Sequence, residues 1–471
     1  MKADIGLVGV GVMGAALALN MAEKGFRVAV HDRDFDKMQA ARQAAAGMKG
    51  GIEIAETPEA LVDAIRAPRP IILLVPAGGA VDDIIAAWRP LLSEGDLLID
   101  AGNANFHDTR RRTAALEAEG LAFLGLGVSG GAEGARYGPS IMAGGSPALW
   151  SRVAPVLTAI AARHGEEPCC AWFGPDGAGH FIKTIHNGVE YADMQMIAEV
   201  YGVMRDGLGM DPAAAAAVFD DWRAGPLASY LVDVTAEVLA TVDAETGRPL
   251  IDLVQDRAGQ KGTGGWAALE ALRLSAPAPA MEAAVAARNL SARKTERLRM
   301  QALFGAAPGP LDGALGDAEA ATASLRDALL AGRIIAYAQG FEVFRAASAE
   351  YAWGLDPAAI ARVWRAGCII RSALLDDIAA ALAASPETNL IAAPAFVGMM
   401  KAAQGELRRV VAAAAAHGAP TPALASALGY FDQLRTGRGT ANLLQLQRDF
   451  FGRHGFERVD RDESGLHGPW A

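Results

Sequence analysis

Ile5-Gly-Leu-Val-Gly-Val-Gly-Val-Met-Gly14 decides how the first part of this chain folds. Ile5–Val8 is an apolar run of strand length, and an apolar helical pattern follows Gly14 as far as Met21. Gly9-Val-Gly11-Val-Met-Gly14 is therefore a G-x-G-x-x-G turn between a strand and a helix. Gly9 permits the tight turn, Gly11 lets a pyrophosphate approach the backbone, and Gly14 packs helix against strand. Such a turn alone is a weak signal, since a glycine-rich turn with no ligand looks the same. Asp32 strengthens it: it closes a second candidate strand, Arg27–His31, and lies 18 residues past Gly14, the spacing that ribose recognition needs.

Further candidate strands are Ile71–Val75, Leu97–Ile99 and Ala122–Leu126, separated by amphipathic helical patterns. The alternation predicts a doubly wound parallel sheet over residues 1–176, a Rossmann-type dinucleotide-binding domain. Ligands bind such sheets beyond the carboxyl ends of the strands. The cofactor-binding candidates are Gly9, Gly11, Val12, Met13 and Gly14 in the first turn, then Asp32, Arg33 and Asp34. Val75 and Ala77 in Leu74-Val-Pro-Ala-Gly78 and Asn103 in Asp100-Ala-Gly-Asn103 complete the set. Gly127-Val-Ser-Gly-Gly-Ala-Glu-Gly134 is too rich in glycine for a plain turn, although an interdomain hinge would look similar. Its amides and the Ser129 hydroxyl suit a carboxylate.

Strand signals mostly stop after residue 177, and helical periodicity runs to about residue 435, predicting a large all-α domain. Within it Gly209-Met-Asp-Pro-Ala-Ala with Trp222-Arg-Ala-Gly225 recurs as Gly354-Leu-Asp-Pro-Ala-Ala with Trp364-Arg-Ala-Gly367. Ser229-Tyr-Leu-Val-Asp233 recurs loosely as Ser372-Ala-Leu-Leu-Asp376, so a duplicated helical bundle is expected. Residues 436–471 form a tail beyond a glycine-rich break. Its last residues suggest an extended segment held by something else.

The chemistry concentrates where the helical region begins. In Gly177-Ala-Gly-His-Phe-Ile-Lys-Thr-Ile-His-Asn-Gly-Val-Glu-Tyr191, a helix would carry Lys183, His186, Asn187, Glu190 and Tyr191 on one face. A solvated polar face is the plain alternative. It fits poorly beside Ile182, Ile185 and Val189, which suit a semi-buried cleft. Lys183 and Glu190 are two turns apart, about 10 Å along the axis, so two proton-transfer groups can serve neighbouring carbons of one substrate. Asp256-Arg-Ala-Gly-Gln-Lys-Gly-Thr-Gly-Gly-Trp266 lacks P-loop spacing, yet Lys261, Thr263 and nearby amides could cradle a phosphate.

Composition narrows the partners. The chain has 471 residues, is 52% hydrophobic and carries a net charge of -11. That balance argues against nucleic acid as the main partner and requires local cations for an anionic substrate. Its three cysteines show no Cys-x-x-Cys spacing, so neither a zinc site nor a disulfide framework is expected, and a reducing cytoplasm suits them. No apolar run is long enough to predict a membrane span. No carboxylate cluster with magnesium spacing is present, so no metal is expected.

These segments resemble 6-phosphogluconate dehydrogenase (decarboxylating), in its long form, over essentially the whole chain. Gly127–Gly138, Gly177–Tyr191, Asp256–Trp266 and Gln447–His454 carry the resemblance. It implies oxidative decarboxylation of 6-phospho-D-gluconate to D-ribulose 5-phosphate in the pentose phosphate pathway, by a homodimer whose tail threads through the partner subunit. Lys183 would be the general base and Glu190 the general acid. Ser129, Gly130, Gly131, His186 and Asn187 would contact the carboxylate end and hydroxyls. Tyr191, Lys261, Thr263 and Arg288 would form a phosphate pocket, completed by Arg448 and His454 from the other subunit, with Asn103 shared between substrate and nicotinamide ribose.

The sequence departs from the family pattern twice. Gly11 stands where the family usually has Ala. Asp32-Arg33-Asp34 stands where NADP-using members typically have Asn-Arg-Thr. Arg33 could pair with a 2′-phosphate, but Asp32 and Asp34 would repel it, so the expectation is NAD or dual use against a family preference for NADP. Two other readings remain at this level. One is a β-hydroxyacid dehydrogenase acting on a small unphosphorylated acid, which would not need Lys261–Thr263, Arg288 or the tail. The other is a catalytically silent dinucleotide sensor, which would lack the lysine or the acid.

Overall fold

The computed structural model describes residues 1–260, 262–306 and 309–470. Its N-terminal part is built on an eight-stranded sheet. The strands of this part are β1 (Ile5–Val8), β2 (Val28–His31), β3 (Ile52–Ile54), β4 (Pro70–Leu73), β5 (Leu97–Asp100), β6 (Ala122–Ser129) and β7 (Ser140–Ala143). A two-stranded hairpin of β8 (Arg163–His164) and β9 (Glu167–Pro168) follows, and then β10 (Cys170–Trp172). The sheet order is β10-β7-β6-β5-β4-β1-β2-β3. From β3 across to β6 every pairing is parallel. β7 then runs antiparallel to β6, and β10 parallel to β7.

All five strand windows read from the sequence are occupied. The purely parallel sheet needs correction, because a reversed pair of strands extends its β6 edge. β3, β7 and β10 were missed: each has only three or four residues, and Glu53 and Ser140 shorten the apolar runs of the first two. The expected loop Gly127–Gly134 also changes: Gly127–Ser129 complete β6, and Gly131–Tyr137 form a short helix after Gly130 at φ 108°.

The rest of the chain is helical. Ala178–Gly202 is the central helix, and every residue from Ala178 to Val189 is buried. It packs against β6 and β7 on one side and against the long helix Ala318–Glu350 on another. Its approach to the sheet is closest at two glycines. A Cβ on Gly127 would lie 2.6 Å from the Lys183 Cβ, and one on Gly179 would lie 2.5 Å from the Met142 carbonyl oxygen. A side chain at either position would push the helix off the sheet. His180 adds a polar tie, with Nδ1 2.7 Å from the Thr109 hydroxyl. Burial holds His180 below its usual pKa, so a neutral ring spans this contact.

The duplication is visible in geometry. Asp211 caps the helix Pro212–Asp221 through the Ala214 amide at 2.7 Å, and Asp356 caps Pro357–Val363 through the Ala359 amide at 3.0 Å. The two copies meet reciprocally. Tyr230 N donates to Arg371 O at 3.1 Å, Ala373 N donates to Ala228 O at 2.9 Å, and Ser229 faces Ser372 between them. Where the long helices of the copies face each other, buried Arg333 and Asp193 form an ion pair at 2.9 Å.

The tail departs from the extended segment expected. It opens with the helix Ala441–Gly452, and the residues after it fold back on that helix. No described helix is long and apolar enough to cross a membrane.

Candidate active site

The polar stripe on the central helix lies inside the protein. Lys183, His186 and Asn187 are buried, and the Glu190 side chain keeps 19% exposure. Lys183 Nζ donates to Asn187 Oδ1 at 2.7 Å and to the Ser129 hydroxyl at 3.1 Å, and it lies 3.1 Å from His186 Nδ1. An ammonium has three protons, and these are three acceptors. The His186 Nε2 is 3.3 Å from the Ser129 hydroxyl, and Glu190 Oε2 is 3.7 Å from His186 Nδ1. Ser129 ends β6, so the sheet places its hydroxyl against the helix.

Burial sets the protonation of this group. It pulls Lys183 below its usual ammonium range, against the charge of Glu190 and the Cys368 thiol. It raises Glu190 above the usual carboxyl range, against Lys183 and Arg288. His186 is held well below its ordinary value by burial and by Lys183, so it is a neutral imidazole. These are the directions an amine base and a carboxylic acid need in order to work near neutral pH.

Tyr191, on the same helix, faces a second cluster. The Arg288 guanidinium stacks 3.7 Å from its ring centroid. Thr263 is buried at the N-terminus of the helix Thr263–Arg273, and a Cβ on Gly264 would lie 2.3 Å from the Tyr191 ring. A helix N-terminus, a hydroxyl and a guanidinium thus meet beside Tyr191, a suitable set for a phosphate. Lys261 lies outside the described residues. Arg448 and His454 do not join the cluster: every side-chain hydrogen bond made by described residues 441–470 stays within that segment.

The cofactor candidates gather at the carboxyl edge of the parallel strands. Gly9, at φ 93°, leaves β1, and a Cβ there would lie 2.5 Å from the Leu74 carbonyl oxygen. A Cβ on Gly14 would lie 1.9 Å from the Gly9 carbonyl oxygen, whereas Gly11 has nothing within 4 Å and opens the helix Val12–Glu23. That open amide end fits a dinucleotide pyrophosphate. Val12 is exposed, Met13 half-buried, and Val75, Ala77 and Asn103 follow β4 and β5 on the same edge.

Asp32 Oδ2 accepts from the Val10 amide at 2.6 Å and Oδ1 from the Asp34 amide at 3.0 Å. Asp34 caps the helix Phe35–Ala44 and pairs with Lys37 at 3.2 Å, which holds it below its usual pKa. A cleft of about 540 Å³ opens beside Asp32 and Arg33, lined also by Pro58, Asp83 and Trp88. Sequence reasoning missed these last three, which sit on helices with no local signature. It also missed Trp364, whose ring edge meets His186 with centroids 5.5 Å apart. A larger concavity, about 830 Å³, lies away from this chemistry in the crook of the C-terminal segment. Among the described residues, no three His, Cys, Asp or Glu side chains gather as a metal-binding group.

Comparison with known proteins fits this arrangement. Residues 4–174 match the NAD binding domain of 6-phosphogluconate dehydrogenase, and residues 179–470 match the 6-phosphogluconate dehydrogenase C-terminal domain. The chain belongs to the 6-phosphogluconate dehydrogenase family. A decarboxylating 6-phosphogluconate dehydrogenase of Schizosaccharomyces pombe is 45% identical over 100% of this chain and 96% of its own. An NAD(+)-dependent member from Bacillus subtilis is 43% identical over 99% of each. The solved Plasmodium falciparum 6-phosphogluconate dehydrogenase, studied apo, with NADP+ and with 6-phosphogluconate, superposes with a TM-score of 0.93. It is 36% identical and covers 99% of this chain and 100% of its own. The family is one of nicotinamide-dependent oxidoreductases, and that cofactor class fits the glycine turn and the open carboxyl edge.

Proposed function

We propose that this chain converts 6-phospho-D-gluconate to D-ribulose 5-phosphate and CO2 while reducing NAD(P), in the pentose phosphate pathway. The carrying observation is the buried Lys183, ringed by acceptors on a helix that also presents Glu190. Neutral Lys183 takes the proton of the substrate C3 hydroxyl. The bound nicotinamide supplies the hydride acceptor. Protonated Lys183 then polarises the new C3 carbonyl, so electrons released as CO2 departs collect in an enediol. Glu190 protonates that enediol at the carbon that becomes C1 of the product. Ser129, Gly130, Gly131, His186 and Asn187 orient the carboxylate end and hydroxyls. Asn103 bridges substrate and cofactor. Tyr191, Thr263 and Arg288 take the phosphate, with Lys261 as a further cation.

The cofactor reading is NAD or dual use. Asp32 and Asp34 flank Arg33 in the sequence, and Asp32 and Asp83 both line the cleft beside it. A free ribose 2′-hydroxyl is favoured there over a 2′-phosphate.

The division is a dinucleotide domain at 1–176, a helical domain at 177–435 and a tail at 436–471. The tail reaches a second copy of the chain, so each site in a homodimer takes Arg448 and His454 from its partner. This is supported by the apolar side chains the tail helix exposes, Leu443, Leu444, Phe450 and Phe451, and by its lack of side-chain bonds to the rest of its own described chain. A cytoplasmic location suits the three free cysteines.

Steady-state turnover of 6-phosphogluconate with NAD and with NADP, scored for reduced cofactor and CO2 in equal amounts, tests the activity. Preference for 3-hydroxyisobutyrate would overturn it. The shared site is tested by refolding Lys183→Ala and Arg448→Ala chains together. Recovery up to about one quarter of wild-type activity is expected from random pairing of independent sites. No recovery, with mixed dimers demonstrated, would place Arg448 in its own subunit's pocket.

A further inference from the structure

The C-terminal segment is organised around one carboxylate. Asp449 is fully buried, although most of its helix is exposed. Its Oδ1 accepts from the Gly455 amide at 2.9 Å and from His467 Nδ1 at 2.7 Å. Its Oδ2 accepts from the Gly468 amide at 2.9 Å and from Trp470 Nε1 at 2.6 Å. Burial works against the charge, but the donors outweigh it and hold the carboxyl well below its usual range. Around this hub Arg453 turns the chain at φ 46°, and Phe456 and Leu466 exchange backbone hydrogen bonds at 2.8 and 3.0 Å.

The hub has a definite position relative to the two cations of the tail. Arg448 is the residue before Asp449, and His454 is the residue before Gly455, one of the amides Asp449 holds. The carboxylate therefore fixes both ends of the Arg448–His454 interval. An acidic residue beside a phosphate-binding arginine would ordinarily oppose the ligand. Here both oxygens are taken up by donors, two of them backbone amides.

We propose that Asp449 is a positioning residue for the phosphate end of the substrate: it locks the hooked end of the tail so that Arg448 and His454 enter the partner's site as one preset unit. This rests on the reading of Arg448 and His454 given above. A purely local role, stiffening an exposed chain end, would stabilise the segment without affecting substrate affinity.

The test uses the full-length enzyme. Asp449→Asn removes the charge at nearly constant shape, and it should raise KM for 6-phosphogluconate about tenfold, the factor that corresponds to 1.4 kcal/mol, with kcat within about threefold. Trp470→Phe removes one donor, leaves the carboxylate in place and should move KM the same way by less. Refolding Asp449→Asn with Lys183→Ala chains should give a component with wild-type KM, because one site of each mixed dimer then has an intact lysine and an intact tail. Arg448→Ala, run in parallel, separates the two ideas. Raised KM for Arg448→Ala with wild-type KM for both Asp449→Asn and Trp470→Phe would overturn the positioning role and leave the function standing. Wild-type KM for Arg448→Ala would remove the tail from the phosphate site, and Asp449 with it. Mixed dimers that show only the raised KM would also overturn the proposal.

Discussion

Lys183 Nζ and His186 Nδ1 lie 3.1 Å apart on one face of a buried helix, and their protons are coupled. While Lys183 is an ammonium, Nδ1 accepts from it, and the imidazole proton sits on Nε2, facing the Ser129 hydroxyl at 3.3 Å. Once Lys183 is neutral, the imidazole can carry its proton on Nδ1 and donate to Asn187 Oδ1 at 3.2 Å. The lysine can thus lose a proton without stranding a buried donor.

Lys183→Ala is expected to abolish oxidation while cofactor binding survives, with turnover falling at least about 100-fold, the usual scale of general-base loss. Lys183→Arg should be equally inactive, because a guanidinium does not deprotonate near neutral pH. Cofactor titration alongside kcat checks both. Turnover within a few-fold of wild type in either variant would remove Lys183 as the base.

Glu190 and Lys183 should be read as a pair in the pH profile. The productive form, neutral lysine with protonated acid, holds as many protons as the ion pair, so the profile is a bell with pair values. The lowered lysine and raised acid bring those values towards neutrality. Glu190→Gln should cripple turnover with substrate binding intact. Its residual rate should still fall at low pH, as Lys183 takes a proton, and lose the fall at high pH. An unchanged bell would take Glu190 out of the mechanism.

Cofactor choice should follow the two carboxylates after β2. For the native enzyme, kcat/KM with NAD should equal or exceed that with NADP. Asp32→Asn with Asp34→Thr should shift the ratio towards NADP at little structural expense, since Asn can still accept from Val10 N and Thr can still cap the helix Phe35–Ala44. A native preference of about a thousandfold for NADP, roughly 4 kcal/mol, would mean that Arg33 outweighs both charges.

A pH effect on stability is expected from Glu199, on the central helix beyond Glu190. It caps the helix Pro422–Leu434, accepting from the Ala423 and Leu424 amides at 2.8 and 2.9 Å. Burial pushes its pKa up from 4.5 to about 7, against those amides and Gln195. The folded state therefore holds this proton more tightly than the unfolded chain. Its contribution is fully present below about pH 4.5 and declines as pH rises towards 7. The scale is on the order of 3 kcal/mol as an upper bound. Glu199→Gln should flatten this decline, read as denaturant midpoints at pH values on either side of the window. The same pH slope in both proteins would discard the assignment.

What was legible in the sequence had local periods. β1 and the glycine turn announce themselves within a few residues, and the Lys183–Tyr191 stripe follows from helical spacing. A semi-buried cleft followed from its apolar neighbours, but the near-complete burial did not, because that depends on β6 offering glycine at 125 and 127 where side chains would normally stand. Trp364 meets His186 only after the second helical copy folds back against the sheet, where Ser140 N donates to Gly367 O at 2.8 Å. Nothing beside Trp364 in the sequence points to that contact. The tail was read as extended because its last residues include Gly, His, Pro and Trp with no helical period. The returning donors, His467 and Trp470, lie beyond the helix they lock.

The glycine contact between the sheet and the central helix bears on motion. Gly127 against Lys183 and Gly179 against Met142 bring the central helix close to the strands, and Thr109 with His180 pins the same surface. Around these contacts Phe106 packs against Phe181 and Trp353 with centroids 5.0 and 5.8 Å apart, so the two halves share one apolar core. Rotating the halves about the connection at residues 174–178 would separate backbone from backbone. A rotation that parted Lys183 from Asn103 would have to break this shared packing. Any closure over bound substrate falls to the segments around its rim: the turn after β4, the Gly130–Gly131 turn and the start of the helix Thr263–Arg273.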